Sequence, residues 1–227
     1  MDADSAEVRL LDGAVLRLDR IERTATVLTR APLPDAELVH PYLAPVGSFF
    51  AGWLGRHALH AGGACIDGTA LAVIGPKESG KTTTLAWLAG QGCDILADDV
   101  LVVDDRRALA GPRTLDLRHD AARELGVLDR TREHRGGERV RLPLGPVDHE
   151  VPLGGLVFLA WGRRVELRPL RPSERLPRIA GATSSKRPRA ERTPLDLADY
   201  PAWELTRPRS VAALPEVLDR LRSVAGR

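Results

Sequence analysis

The chain of 227 residues carries 33 basic and 31 acidic side chains, a net charge of +2, with 43% hydrophobic and 28% charged residues. That length and composition suit a folded domain with a sizeable core and exclude a disordered chain, while the near balance of charge argues against nucleic acid or a membrane surface as a partner. Two cysteines, Cys65 and Cys93, are too few for a disulfide framework or a four-ligand zinc site.

In chain order, the opening MDADSAEVRL is acidic and lacks the apolar run of a signal peptide. Short strands are predicted at Val8 to Leu11, Val15 to Leu18 and Thr24 to Thr29, with a hairpin turn at Asp12-Gly13. Pro32, Pro34 and Pro41 mark a loop, after which Ser48 is expected to cap a helix bearing Phe50, Ala51, Trp53 and Leu54. Strand pattern returns from Leu59 to Ile66, weakened by Gly62-Gly63, and turns at Asp67-Gly68 into the apolar strand Ala70 to Ile74. A helix follows from Lys81 to Ala89, ended by Gly90 and Gly92. Strands at Asp94 to Ala97 and Val100 to Val103 flank Asp98-Asp99, and the first of them is expected to lie beside the Ala70 strand.

The Arg-rich stretch from Gly111 to Pro152 has no clear period. Val157 to Leu159 and Val165 to Leu167 read as a hairpin around Gly162-Arg163. Gly181 to Thr193 reads as a positively charged loop, and a terminal helix is expected from Pro215 with Leu218, Leu221 and Val224 buried. The longest apolar stretch, near Leu153 to Trp161, is far short of the roughly 18 residues of a membrane span. The expectation is a soluble, cytoplasmic protein with no membrane partner.

GPKESGKT, Gly75 to Thr82, fits the G-x-x-x-x-G-K-[ST] pattern of a phosphate-binding loop, with an apolar strand before it and a helix after it. Gly75 and Gly80 permit a tight turn, so that main-chain N–H groups of Pro76-Lys77-Glu78-Ser79 and Thr83 can gather around phosphate at a helix N-terminus (Pro76 itself supplies no N–H). Lys81 is placed for the β and γ oxygens and Thr82 for Mg²⁺. Only three of the basic residues are lysine, at 77, 81 and 186, so a lysine at this position stands out.

Asp98 and Asp99 end the strand after the loop's helix, where one carboxylate can hold Mg²⁺ and the other can take a proton from an attacking hydroxyl. On residues alone the pair also reads as a solvated turn. His60, across Asp67-Gly68 from the loop's strand, reads either as a phosphate-site residue or as an ordinary strand histidine, and His57 is a lesser candidate for the same place.

Together, Leu59-His60-Ala61 and GPKESGKTTTLAWLAGQGCDILADD resemble the HPr kinase/phosphorylase family and its short HPr kinase-like relatives. The resemblance is clear over residues 58–104 and weaker from Glu37 to the C-terminus, including VELRPL and PAWELTRP. It implies an α/β, P-loop-containing, PEP-carboxykinase-like fold over residues 58–227, preceded by a hairpin-and-helix extension over 1–57. It implies ATP- and Mg²⁺-dependent transfer of a phosphoryl group to a hydroxyl, with Asp98 as general base, Asp99 and Thr82 as metal ligands, and His60 lining the phosphate site.

Lys77 and Glu78 stand where the bacterial enzymes usually have Ser-Gly. GPRTLDLRHD only approximates their downstream Glu-Ile-Arg-Gly signature, and residues 1–57 take the place of the regulatory domain. These departures point away from HPr as acceptor and away from phosphorolysis. They leave a serine of a peptide or protein, such as a natural-product precursor peptide, as the expected acceptor. A nucleotide-binding scaffold or switch and a metabolite kinase remain the alternatives. Lys186, Arg187 or Arg189, and less so Arg113, Arg118 and Arg163, are further candidates for phosphate contacts.

Overall fold

The structure, a computed structural model, describes residues 4–10, 12–33, 35–134, 137–184 and 194–226. Strands β1 (Ser5–Arg9), β2 (Val15–Asp19) and β3 (Thr24–Leu28) form an antiparallel meander, with the expected turn at Asp12-Gly13. Their alternation buries Ala6, Leu16 and Leu18 against Phe49, Phe50 and Trp53. The short α1 (Asp35–Leu38) and a π-helical turn, Val39–Leu43, lead into α2 (Ala44–Trp53), which supplies those aromatics. Ser48 lies inside this helix and bonds back to the Ala44 carbonyl, so it is not the cap. Pro45, at the start of α2, lacks an N–H where the first turn needs none, which lets the helix begin earlier than a Ser cap would suggest.

The large sheet starts with β4 (His57–Leu59), β5 (Ala61–Ile66) and β6 (Thr69–Ile74). Helix α3 (Lys81–Gly90) follows, then β7 (Asp94–Ala97), β8 (Leu101–Asp104) and β9 (Arg107–Leu109). His57, assigned from sequence to the N-terminal extension, is the first residue of β4 and pairs with Val103. The previously unreadable region folds as β10 (Thr114–Arg118), α4 (His119–Glu124), β11 (Arg132–His134) and β12 (Arg139–Pro143), the three strands making a second small sheet. The long β13 (Glu150–Trp161), β14 (Glu166–Pro169), α5 (Pro172–Ala182), β15 (Ala202–Arg207) and α6 (Leu214–Ala225) complete the chain.

Strand order in the large sheet is β4-β8-β9-β13-β6-β5-β7, with β15 pairing both β13 and β14. Two expectations fail here. Strands β13 and β14 are not a hairpin, because β15 runs parallel to β13 and antiparallel to β14 and so joins them. Strand β7 does not touch β6, because β5 lies between them and is antiparallel to both. Two antiparallel steps nevertheless leave β6 and β7 pointing the same way, so their C-terminal ends reach the same edge of the sheet.

Both faces of the sheet are buried, as the nearly unbroken apolar runs of β6 and β13 require. Leu71 and Val73 of β6 cluster with Leu85 and Leu88 of α3 and Leu218 and Leu221 of α6, while Ala70, Ala72 and Ile74 share the other face with Leu96, Leu156 and Phe158 and pack in one cluster with Ile179 of α5. Gly62 sits where α3 crosses β5: a Cβ there would collide with Leu85. That close approach explains a glycine in a strand.

Candidate functional site

The loop between β6 and α3 opens onto a cleft of about 570 Å³. It gathers His60, Lys81, Thr82, Asp98 and Asp99, with the exposed Pro76 and Lys77 also in its lining. Lys81 is only 7% exposed and donates from Nζ to His60 Nε2 at 3.2 Å. An ammonium has no acceptor, so His60 Nε2 offers its lone pair and the ring proton resides on Nδ1. A hydrogen bond between the ring and the Asp99 main chain suits that tautomer. Burial, and then the Lys81 charge, push the His60 pKa down, which favours the neutral ring. Burial also lowers the Lys81 pKa, against the pull of Asp98 and Asp99.

Thr82 Oγ1 donates to Asp98 Oδ2 at 2.8 Å, and the Asp99 N–H donates to Asp98 Oδ1 at 2.9 Å. Asp99 takes a positive φ of 66°, which turns the chain sharply after the first carboxylate. Desolvation, with the Asp99 charge second, raises the Asp98 pKa to about 6. Carboxylates held this way are poised for proton transfer near neutrality.

Around the loop, Gly80 has φ +76° and caps α3. Any Cβ on Gly80 would collide with Arg207 and lie 2.9 Å from Trp161. Arg207 is the buttress: Nη2 donates to the carbonyls of Ser79 (3.3 Å) and Gly80 (3.1 Å) and to Thr84 Oγ1 (2.9 Å). It is 3% exposed, its guanidinium lies 4.4 Å from the Trp161 ring centroid, and burial lowers its pKa to about 10. Glu78, with φ +68°, pairs with Arg118 at 2.6 Å. Ser79 Oγ is buried without a protein partner, and a Cβ on Gly75 would strike it. Thr83 faces away from the cleft, into a separate cavity.

These features fit the two ligands expected from sequence. An orphaned buried hydroxyl in a loop closed by Gly80, at the start of α3 and backed by buried Lys81 and Arg207, suits phosphate oxygens. Among the described residues no three His, Cys, Asp or Glu side chains cluster as a self-sufficient metal cage. Thr82 Oγ1 and the Asp99 carboxylate, with Asp98 bonded to both residues beside them, are instead the kind of hard, partial oxygen set that Mg²⁺ takes when phosphate and water complete its shell. Asp98, rather than Asp99, is the carboxylate that contacts Thr82.

Several walls were not foreseen. Val39, Leu43, Ala44 and Gly47 close one side of the cleft, so the N-terminal segment helps build it. Thr114, Asp116 and Arg139 form another side, where Arg141 grips the Asp116 carboxylate from Nε at 2.8 Å and Nη2 at 3.0 Å. No local signal in the Arg-rich stretch distinguishes these residues. Arg207 lies in PAWELTRP, which was singled out, but nothing local shows that it reaches the loop.

Other candidates take different places. Arg113 donates to the carbonyls of Ile95, Leu96 and Gly145, clamping the end of β7. His57 is buried with Nε2 3.6 Å from an Asp196 carboxylate oxygen, away from Lys81. Arg163 is exposed in the turn after β13. Of the basic loop, Thr183 bridges to Leu59 and Ser184 bonds the Ala58 carbonyl and the Ser48 hydroxyl. Lys186, Arg187 and Arg189 lie outside the described residues. Among the described residues no helix is long and apolar enough to cross a membrane.

No family model and no curated protein matches the chain. Among solved structures it is similar to the Hpr(Ser) kinase/phosphatase from Coxiella burnetii, at 15% sequence identity and a TM-score of 0.37, over 73% of this chain and 95% of that one.

Proposed function

We propose that the protein is an ATP- and Mg²⁺-dependent kinase that transfers the γ-phosphoryl group to a hydroxyl of a peptide or protein. The observation that carries this reading is the meeting, in one cleft, of a buried loop lysine, a Thr82–Asp98 contact and a carboxylate whose pKa is held at about 6. ATP would supply the phosphoryl group, and Mg²⁺, held by Thr82 and Asp99, would neutralise phosphate charge and leave the Asp98 carboxylate free of the metal.

In this reading the loop amides and Lys81 hold the phosphates, and His60, neutral and accepting from Lys81, keeps that ammonium aimed into the cleft. Asp98 takes the proton of the acceptor hydroxyl. A pKa near 6 leaves it mostly ionised at neutral pH yet basic enough to help. The acceptor enters from the side opposite the loop, where the cleft runs past Gly47, Val100 and Val102 into an apolar groove with Phe50 and Leu54. Such an open, extended surface favours a peptide over a small metabolite, which needs an enclosed pocket.

The test is transfer from γ-labelled ATP with Mg²⁺ to serine-containing peptides and to small hydroxyl compounds, comparing wild type with Asp98→Asn. Label on a peptide serine in the wild type alone is the expected result. ATP binding with neither transfer nor hydrolysis across a broad acceptor set would overturn the kinase reading in favour of a nucleotide-binding scaffold.

A further inference from the structure

The phosphate loop and the first turn of α3 stand between two cavities that have no wall residue in common. The cleft takes Lys81, Thr82 and the two aspartates. The second cavity, about 280 Å³, is walled by Gly80, Thr83, Trp161, Arg209, Asp120 and Glu124, and nothing in the proposed reaction uses it.

We propose that this second cavity seats the nucleoside end of the nucleotide, with the base against Trp161 and Arg209. The inference rests on the reading of residues 75–83 as a phosphate-binding loop, and it adds where the base goes and what recognises it.

Direction comes first. Transfer chemistry fixes the terminal phosphate on the side of Lys81, Thr82 and Asp98, in the cleft. The rest of the phosphate chain must then run back along the loop and leave it on another side. Thr83, the residue after Thr82, opens into the second cavity rather than the cleft. A nucleoside carried by the innermost phosphate therefore emerges there, and the cleft stays free for the acceptor.

Chemistry agrees. Trp161 is partly exposed, and its ring lies 4.9 Å from the guanidinium of the exposed Arg209. Its other cation, Arg207, is tied down by three loop acceptors, so the indole has a fixed position. Indole and guanidinium planes are the two side-chain surfaces on which bases stack, whatever the base. The lining also brings Asp120 and Glu124, with Glu78 paired to Arg118, and the two former carboxylates can accept hydrogen bonds from the amino edge of a purine. The cavity thus offers stacking planes and acceptors together, as a nucleoside requires.

Calorimetric titration of the full chain with MgATP and with inorganic tripolyphosphate tests this, in wild type, Trp161→Ala, Arg209→Ala and Ala121→Trp. Tripolyphosphate probes the loop alone. Ala121→Trp fills the cavity from α4 and serves should Trp161→Ala fail to fold. The expected result is tighter binding of ATP than of tripolyphosphate by wild type. The variants should lose about 5- to 100-fold in ATP affinity, and Arg209→Ala and Ala121→Trp, which leave Trp161 and the Arg207 buttress in place, should keep tripolyphosphate affinity within about twofold. ATP binding unchanged in these two variants, or weakened equally with tripolyphosphate, would overturn the nucleoside seat while leaving the phosphate loop standing. Wild type binding neither ligand would overturn the phosphate-loop reading itself, and the seat with it.

Discussion

Thr82 Oγ1 stands 2.8 Å from Asp98 Oδ2, although the strand carrying Asp98 is separated by β5 from the strand that leads to Thr82. The contact joins the start of α3 to the end of β7 at the single edge where both run out. A divalent cation taken up by Thr82 Oγ1, with Asp99 and phosphate, would replace this bond and leave the Asp98 carboxylate for the acceptor's proton. Thr82→Val removes one oxygen and keeps the shape. It should lower Mg²⁺-dependent ATP affinity about tenfold or more while leaving Mg²⁺-free binding nearly unchanged. Titrations with and without Mg²⁺ measure the difference, and an equal loss in both would remove Thr82 from the metal's shell.

Asp98 also makes stability depend on pH. Its pKa is about 6 in the fold against an ordinary value near 3.8, so the folded chain binds this proton more tightly than the unfolded chain. The stability it contributes is greatest below pH 4 and falls as pH rises through 6. Asp98→Asn should therefore be more stable than wild type by about 1–2 kcal/mol at pH 8, and lose that advantage near pH 4. Urea unfolding of the ligand-free protein at the two pH values checks this; a difference that does not change with pH would contradict it.

His60 reports on Lys81. Burial is the main cause of its lowered pKa, and the neighbouring ammonium is the second. Lys81→Met removes the charge and keeps most of the bulk, so the His60 pKa should rise, and ATP binding should be lost. The ring's nitrogen shifts followed by NMR against pH give the first result. An unchanged titration would mean that the 3.2 Å contact does not persist in solution.

Arg207 holds three acceptors of the loop region with one nitrogen. Arg207→Met would leave the Ser79 carbonyl without its donor, while the Gly80 carbonyl and Thr84 hydroxyl keep only their bonds to each other and to the Thr84 N–H, destabilising the fold by about 1–3 kcal/mol. Arg207→Lys, which lacks the planar fork, should recover only part of this. Denaturant midpoints of the two variants rank them, and a midpoint for Arg207→Met equal to wild type would show that these bonds contribute little.

Gly80 leaves no room for a side chain and sits at φ +76°. Gly80→Ala should lose about 1–2 kcal/mol from the left-handed backbone alone. It should lose tripolyphosphate binding as well, because the collision with Arg207 and Trp161 shifts the loop. A calorimetric titration that finds wild-type affinity would show that the loop yields without consequence.

The loop was legible because its signals are local. An apolar run, two glycines, a lysine and a threonine within a few residues dictate strand, tight turn and helix N-terminus whatever the rest of the chain does. The same holds for the Asp12-Gly13 and Asp67-Gly68 turns, which close β1 on β2 and β5 on β6 as expected. Asp98 was legible as a neighbour of the loop from its place at the end of the strand after the loop's helix, and the resemblance to a family pattern strengthened that reading. For His60, whose residue type reads more readily as an ordinary strand histidine, the resemblance carried most of the weight.

Partners of strands not joined by a tight turn were not legible, because a strand's two-residue period says which side chains share a face and nothing about which strand lies beside it. The sequence alone determined a strand, a tight glycine-bounded loop and a helix, with two carboxylates shortly after. The tertiary structure decided that β5 separates β6 from β7 while keeping their ends together. It also decided that β15 sends Arg207 under a loop 127 residues earlier, and that the N-terminal helix walls the cleft. Those outcomes depend on how two buried faces of one sheet are covered and on where buried cations find acceptors, requirements met by residues far apart in the chain.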